Sequence, residues 1–185
     1  MEGSYGEKET MTDDPPKIRE ISNEDQQKSA RIAADHGHYG IRIDQDGTWW
    51  RDGLSFTRPG LVKLFSTVLR LDDDGQYWLQ TPVERGRIDV DDVPFTAVEL
   101  AEDAGVIQVR TNLDEWVTLD AEHPLRIAVD AATGEPRPYI TVRSNLEARL
   151  LRPVFYELAN LATEQDGALY VSSGGAQFRL GETEA

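Results

Sequence analysis

TWWRDGLSFTRPGLVKLFSTVLRLDDDGQYWLQT, residues 48–81, decides how the chain is read. Thr48-Trp49-Trp50 has the β-branched and aromatic character of a strand. Past Asp52-Gly53 and Arg58-Pro59, Leu61, Leu64, Phe65, Val68 and Leu69 recur at steps of three and four, which predicts a helix with one buried face. Pro59 suits the first helical position, where a missing N–H costs nothing. Asp72-Asp73-Asp74-Gly75 breaks the pattern, and Tyr77-Trp78-Leu79 resumes it as a strand.

The same order returns over residues 140–173. Arg51 matches Arg143, Leu54 matches Leu146, Arg58-Pro59 matches Arg152-Pro153, Leu64 matches Leu158, and Asp74-Gly75 matches Asp166-Gly167. The second copy has two extra residues before its Arg-Pro and two fewer after it. Each copy reads strand, Arg, Leu, Arg-Pro, helix, Asp-Gly, aromatic strand, so a duplication is expected.

Outward from these copies, residues 1–17 hold almost no bulky apolar side chains and are expected to be mobile. Residues 22–35 read as a polar surface helix capped by Ser22 and ended by Gly37 and Gly40. Ordered structure is expected from Tyr39, with Ile41-Arg42-Ile43 alternating before an Asp46-Gly47 turn. Residues 83–143 read as short strands, residues 146–162 as a helix bent at Pro153, and residues 169–171 and 177–180 as strands closing the sheet. The fold class is therefore α+β: two small related lobes, residues 39–93 and 94–181, each an amphipathic helix packed on antiparallel strands, after a mobile segment over 1–38.

Among 185 residues, 34 acidic against 19 basic side chains leave a formal charge of −15. Neutralising nucleic-acid phosphate or an anionic membrane needs clustered Lys and Arg, so neither partner is expected. The absence of cysteine removes disulfides, thiolate metal sites and cysteine nucleophiles. There is no basic-then-apolar leader and no run of 18 apolar residues, so a cytoplasmic location is expected.

The repeated Arg-Pro carries chemistry. A helix N-terminus is already positive, so an arginine there calls for a compensating anion. One reading is an ion pair within the chain, with Glu84, Asp91 or Asp92; the other is an anion pocket where the two halves meet. Other constellations lose to simpler readings. His36-Gly37-His38, with His123 far off, reads as a turn, so no metal is expected. Asp44-Gln45-Asp46-Gly47 fails as a calcium loop, because Arg42 and Gly53 fall where carboxylates are required. Ser172-Ser173-Gly174-Gly175 lacks the Lys of a phosphate loop, and no Gly-x-Ser-x-Gly elbow exists. Glu84, Asp89, Asp91 and Asp92 read as solvated faces, so no catalytic residue and no cofactor is assigned. Trp49 and Trp50 are adjacent in a strand, so one of them faces away from the core.

Arg42-Ile43, Asp46-Gly47-Thr48-Trp49, Arg58 and Leu61-Val62-Lys63-Leu64-Phe65-Ser66-Thr67 together resemble the bacterial family called domain of unknown function 1285. The resemblance continues through Leu79-Gln80-Thr81-Pro82-Val83-Glu84, Val90-Asp91-Asp92-Val93-Pro94-Phe95 and Thr111-Asn112. It ends with Pro138-Tyr139-Ile140-Thr141-Val142-Arg143, Leu146-Glu147-Ala148 and Phe155-Tyr156-Glu157-Leu158, and so covers roughly residues 40–180. Residues 17–40 lack the Trp-Asn-Pro and Gly-x-Ile-Asp runs common in that family. The resemblance implies a two-part fold with a duplicated core and a C-terminal part superficially like a pleckstrin-homology domain. It also implies a nucleotide-like ligand at the interface of the parts, and a place in bacterial signalling.

These readings converge on a sensor or binding module for a small anionic, nucleotide-like ligand between the lobes. Arg58 and Arg152 are expected beside helix N-termini, and Arg51 and Arg143 as planar donors. Thr81, Glu84, Thr111, Asn112 and Tyr139 are expected to orient a base or sugar. The alternative is a protein–protein adaptor using an exposed aromatic face around Trp49 or Trp50, with no small ligand. An enzyme ranks third.

Overall fold

The computed structural model describes residues 33–182. All but the last three residues of the helix expected over 22–35 lie outside that range, as does most of the expected mobile segment.

The first lobe runs β1 (Ala34–Ile43), β2 (Trp49–Arg51), β3 (Leu54–Ser55), α1 (Pro59–Thr67), β4 (Leu69–Leu71), β5 (Tyr77–Gln80) and β6 (Glu84–Val90). Its six strands lie in the order β3-β2-β1-β6-β5-β4. The second lobe opens with β7 (Phe95–Asp103), β8 (Val106–Thr111), β9 (Trp116–Thr118), β10 (Leu125–Val129), β11 (Pro136–Arg143) and β12 (Leu146–Leu150). Taken from its β9 edge, the second sheet reads β9-β8-β7-β12-β11-β10, which is the first sheet's order moved on by six. In each sheet the first and sixth strands form a central parallel pair, β1 with β6 and β7 with β12, and the other neighbours are antiparallel. The fold is α+β with two related lobes and a duplicated core. After β12 come α2 (Arg152–Asn160) and a separate three-stranded sheet of β13 (Thr163–Gln165), β14 (Ala168–Ser173) and β15 (Ala176–Glu182).

Strand order thus pairs residues 34–90 with 95–150, a different frame from the 48–81 and 140–173 copies. Those copies agree locally: Arg51 stands opposite Leu54 in one hairpin and Arg143 opposite Leu146 in the other. The second copy then leaves its sheet, and residues 176–182 complete the third sheet instead of closing the second.

Three boundaries differ from the sequence reading. Strand β1 starts at Ala34, five residues before Tyr39, because Gly37 (φ 73°) and Gly40 (φ 67°) form irregularities within a strand and do not stop a helix. Helix α1 buries Val62 and Ser66 with Phe65 half-buried beside them, leaving Leu61 and Leu64 outside. With only nine residues it ends before Leu69, which is buried as part of β4. Residues 146–150 form a strand because their burial alternates strictly, and α2 begins only at Arg152, with Pro153 in its first turn.

One apolar core runs through both lobes, including Ile43, Trp49 and Leu69 from the first and Phe95, Ile140 and Leu158 from the second. Trp49 is 1% exposed and packs 6.2 Å from Phe65 and 6.4 Å from Phe56, ring centre to ring centre. Trp50 faces the other way, half-buried.

Candidate ligand site

Arg143, Thr111 and Asn112 come together where the lobes meet. Thr111, at the end of β8, is fully buried, and its Oγ1 accepts the backbone N–H groups of Leu113 (3.3 Å) and Glu115 (3.1 Å). That turn presents Glu115 to Arg143, whose second terminal nitrogen donates to the Ser66 carbonyl at 2.9 Å. Asn112 bridges the lobes: its Oδ1 accepts the Thr96 N–H at 3.2 Å and its Nδ2 donates to the Gly47 carbonyl at 3.3 Å. Nearby, Lys63 of α1 pairs with Asp114 at 2.6 Å. These bonds tie α1 to the second lobe, beside an open hollow of about 450 Å³ lined by Lys63, Thr67, Leu113, Glu115 and Arg143.

The four arginines expected to share one hollow are dispersed. Arg51 lies on the exposed hairpin, 3.6 Å from Asp52. Arg58 caps α1 with its backbone alone and is exposed. Arg143 is at the seam, and Arg152 begins α2, where it meets Glu135 at 2.8 Å. Glu84 pairs with His36 (3.5 Å), Asp91 with Arg42 and Asp92 with Arg149 (3.1 Å), so none of the three answers the Arg-Pro arginines. Thr81 organises the turn before β6, its Oγ1 accepting the Glu84 N–H at 3.1 Å. Tyr139 is buried and donates to Asp92 at 2.9 Å. Burial first, then that bond, raises its phenol above the ordinary value of 10.0.

A different set of arginines does converge. A cleft of about 270 Å³ lies between the turn after β10 and α2, lined by Arg137, Arg149, Arg152, Thr133, Phe155 and Tyr156 among others. Strand β11 brings Arg137, β12 brings Arg149, and the α2 N-terminus brings Arg152. Arg149 reaches beyond the cleft to donate to the Gln45 carbonyl of the first lobe at 2.7 Å. Arg137 pairs with Asp130, whose carboxyl is held below its ordinary value by the N–H groups of Ala132 and Thr133. Arg152 is one helical turn from Tyr156, whose side chain lies near it on the same face of α2. Sequence reasoning found Arg152 but missed Arg137 and Arg149, whose approach depends on strand register.

The family profile described as "Domain of unknown function (DUF1285), N-terminal domain" matches residues 33–93, and the profile for the DUF1285 C-terminal domain matches residues 94–180. This chain belongs to the DUF1285 family. A crystal structure of a DUF1285 family protein from Silicibacter pomeroyi DSS-3 is 38% identical, with a TM-score of 0.75 over 81% of this chain and 84% of that one. A second, from Shewanella baltica OS155, is 25% identical, with a TM-score of 0.53 over 65% of this chain and 91% of that one. No curated protein matches the sequence. Among the described residues of this DUF1285 protein, no helix is long and apolar enough to cross a membrane.

Proposed function

We propose that this DUF1285 protein is a cytoplasmic sensor module in bacterial signalling that binds a small anionic, nucleotide-like ligand in the cleft beside α2. The convergence of Arg137, Arg149 and Arg152 on one concave surface carries the reading. Each of the three already meets a carboxylate, so what matters is which pairs an incoming anion can open. The Arg152 and Glu135 side chains are 64% and 57% exposed, and such a pair is worth roughly 0–1 kcal/mol. A phosphate can take Glu135's place at little cost. Arg137 is held more firmly, because its partner Asp130 is only 15% exposed. Tyr156, more than half exposed beside Arg152, offers a ring for a base and a hydroxyl for a sugar.

The test is calorimetric titration of the full chain with a panel of mono-, di- and cyclic nucleotides, alongside Arg152→Ala. Binding to the native chain is expected, with affinity about tenfold lower in the variant. Absence of heat with every member of the panel at millimolar concentration would overturn the reading.

The adaptor alternative has less support. Trp49 lies in the core, and the Trp50 indole N–H is bound to Asp44 at 2.7 Å.

A further inference from the structure

Strand order makes β4, β5 and β6 of the first sheet the counterparts of β10, β11 and β12 of the second. Across the second set, Arg126, Tyr139 and Arg149 stand directly opposite one another. Across the first, the residues directly opposite one another are Arg70, Trp78 and Arg87. Opposed residues share a sheet face, so each lobe carries an arginine–aromatic–arginine row on corresponding strands. Guanidinium groups lie over both aromatic rings: Arg126 4.3 Å from the Tyr139 centroid, Arg85 and Arg87 4.4 Å and 5.8 Å from that of Trp78.

The two rows differ in what neutralises them. In the second lobe Arg126 pairs with Glu147, Arg149 lies 3.1 Å from Asp92, and the Tyr139 hydroxyl donates to the same Asp92. Asp92 belongs to the connection between β6 and β7, and Arg149 also takes the Gln45 carbonyl. That row is therefore covered by an acidic stretch of main chain and a neighbouring carbonyl. In the first lobe the residue two before Arg87 is Arg85, where the residue two before Arg149 is Glu147, so the charge is reversed. Arg85 meets Asp35 at 3.3 Å, and Arg70 gives its guanidinium to the Thr67 and Leu69 carbonyls. Among the described residues, no carboxylate lies within ion-pair distance of Arg87. Of the other acids near this face, Asp72 accepts the Trp78 indole N–H at 2.7 Å, Asp89 lies 3.2 Å from the His38 ring, and Asp35, paired with Arg85, acts on Arg87 only through space. Arg70 and Arg87 are exposed and Trp78 is half-buried.

We propose that the outer face of the first sheet docks an extended acidic segment of a partner protein, with a carboxylate meeting Arg87 beside Trp78 as Asp92 meets Arg149 beside Tyr139. The occupant follows from the corresponding row, which is filled by an aspartate on extended main chain. Exposed guanidinium groups in a chain of net charge −15 also discriminate in favour of a partner that brings its own carboxylate to this one face. The surface is separate from the α2 cleft and does not depend on it.

The probe is a synthetic peptide Val-Asp-Asp-Val-Pro, the sequence of residues 90–94, titrated into the full ¹⁵N-labelled chain at low salt. The Trp78 indole N–H resonance should shift with an apparent dissociation constant of about 1 mM. Arg87→Gln should weaken the response about fivefold, and added salt should weaken it further. Arg152→Ala should leave it intact while lowering nucleotide affinity. No shift at about 5 mM peptide would overturn the proposal. So would an equal shift with Val-Asn-Asn-Val-Pro or an unchanged response in Arg87→Gln. A matching shift with inorganic phosphate would overturn the peptide as occupant. Peptide-free self-association abolished by Arg87→Gln would overturn it in favour of a second copy of this chain.

Discussion

Arg143, at the end of β11, donates a 2.9 Å hydrogen bond to the carbonyl of Ser66 in α1, 77 positions earlier in the chain. The same guanidinium pairs with Glu115 and lies 4.9 Å from the centre of the Phe95 ring. It therefore joins α1, the β8–β9 turn and the first strand of the second lobe. Arg143→Ala should cost about 2 kcal/mol in urea unfolding, since charge-assisted bonds and a ring contact are lost together. Nucleotide heat should stay unchanged. A loss of nucleotide heat in a folded Arg143→Ala chain would move the ligand to the seam.

Two hairpins use one device. Asp44 accepts the N–H groups of Asp46 and Thr48 on one oxygen and the Trp50 indole on the other. Asp72 does the same with Asp74, Gln76 and Trp78. Both carboxyls lie below the ordinary 3.8: Asp72 through Gln76 and then Trp78, and Asp44 because its bonds to Trp50, Thr48 and Asp46 outweigh the opposing effect of burial. A depressed carboxyl contributes stability above its unfolded value, and that contribution is lost as pH falls through the folded one. The urea midpoint should therefore begin to drop below about pH 4, with a tryptophan fluorescence change, and Asp72→Asn should flatten that drop.

Gly47 and Asn112 should prove coupled. At Gly47 φ is +77°, and an added Cβ would stand 2.6 Å from Asn112 Nδ2. Gly47→Ala should cost about 1–2 kcal/mol through the backbone alone, with the close approach added. Asn112→Ala should cost about 1–3 kcal/mol by stranding the Thr96 N–H and the Gly47 carbonyl. The double variant should cost less than the two together, because Asn112→Ala removes the atom that the added methyl group would strike. Additive costs in a double-mutant cycle would exclude this coupling.

Tyr77 should be the last tyrosine to ionise. Burial, then the charges of Glu147 and Asp92, push its phenol up to about 12. A phenol raised in this way favours the folded state fully below its unfolded value of 10.0, and the benefit is lost as pH rises through the folded value. Phenolate absorbance should show a late step that Tyr77→Phe removes.

The local pattern was open to sequence reasoning wherever neighbouring residues decide the outcome. The strands around Asp46-Gly47 and Asp74-Gly75 are examples, because turn chemistry is encoded within a few residues. Two kinds of feature were not. Leu146 and Leu150 suit a helical stripe as well as an alternating strand, and only pairing with β7 and β11 settles the matter. Gly37 and Gly40 resemble helix terminators until β6 is known to lie alongside them. The site divides the same way. Arg143, Thr111 and Asn112 were legible only as three of nine candidates expected around one ligand, and the bonds that occupy them were not. Arg137 and Arg149 stand 12 positions apart in sequence, and only the β11–β12 register brings them to the same cleft as Arg152.

The central parallel pairs also shape how the chain must be made. Because β1 lies against β6, and β7 against β12, each sheet needs its first and last strands before its middle can close. During synthesis, Ile41 and Ile43 wait for the strand ending at Val90 to leave the ribosome, and Phe95 waits for Leu150. Hairpins can form at once, but the central parallel pair of each sheet closes only when its sixth strand is made, and the shared core waits longer still, for Val171 and Phe178.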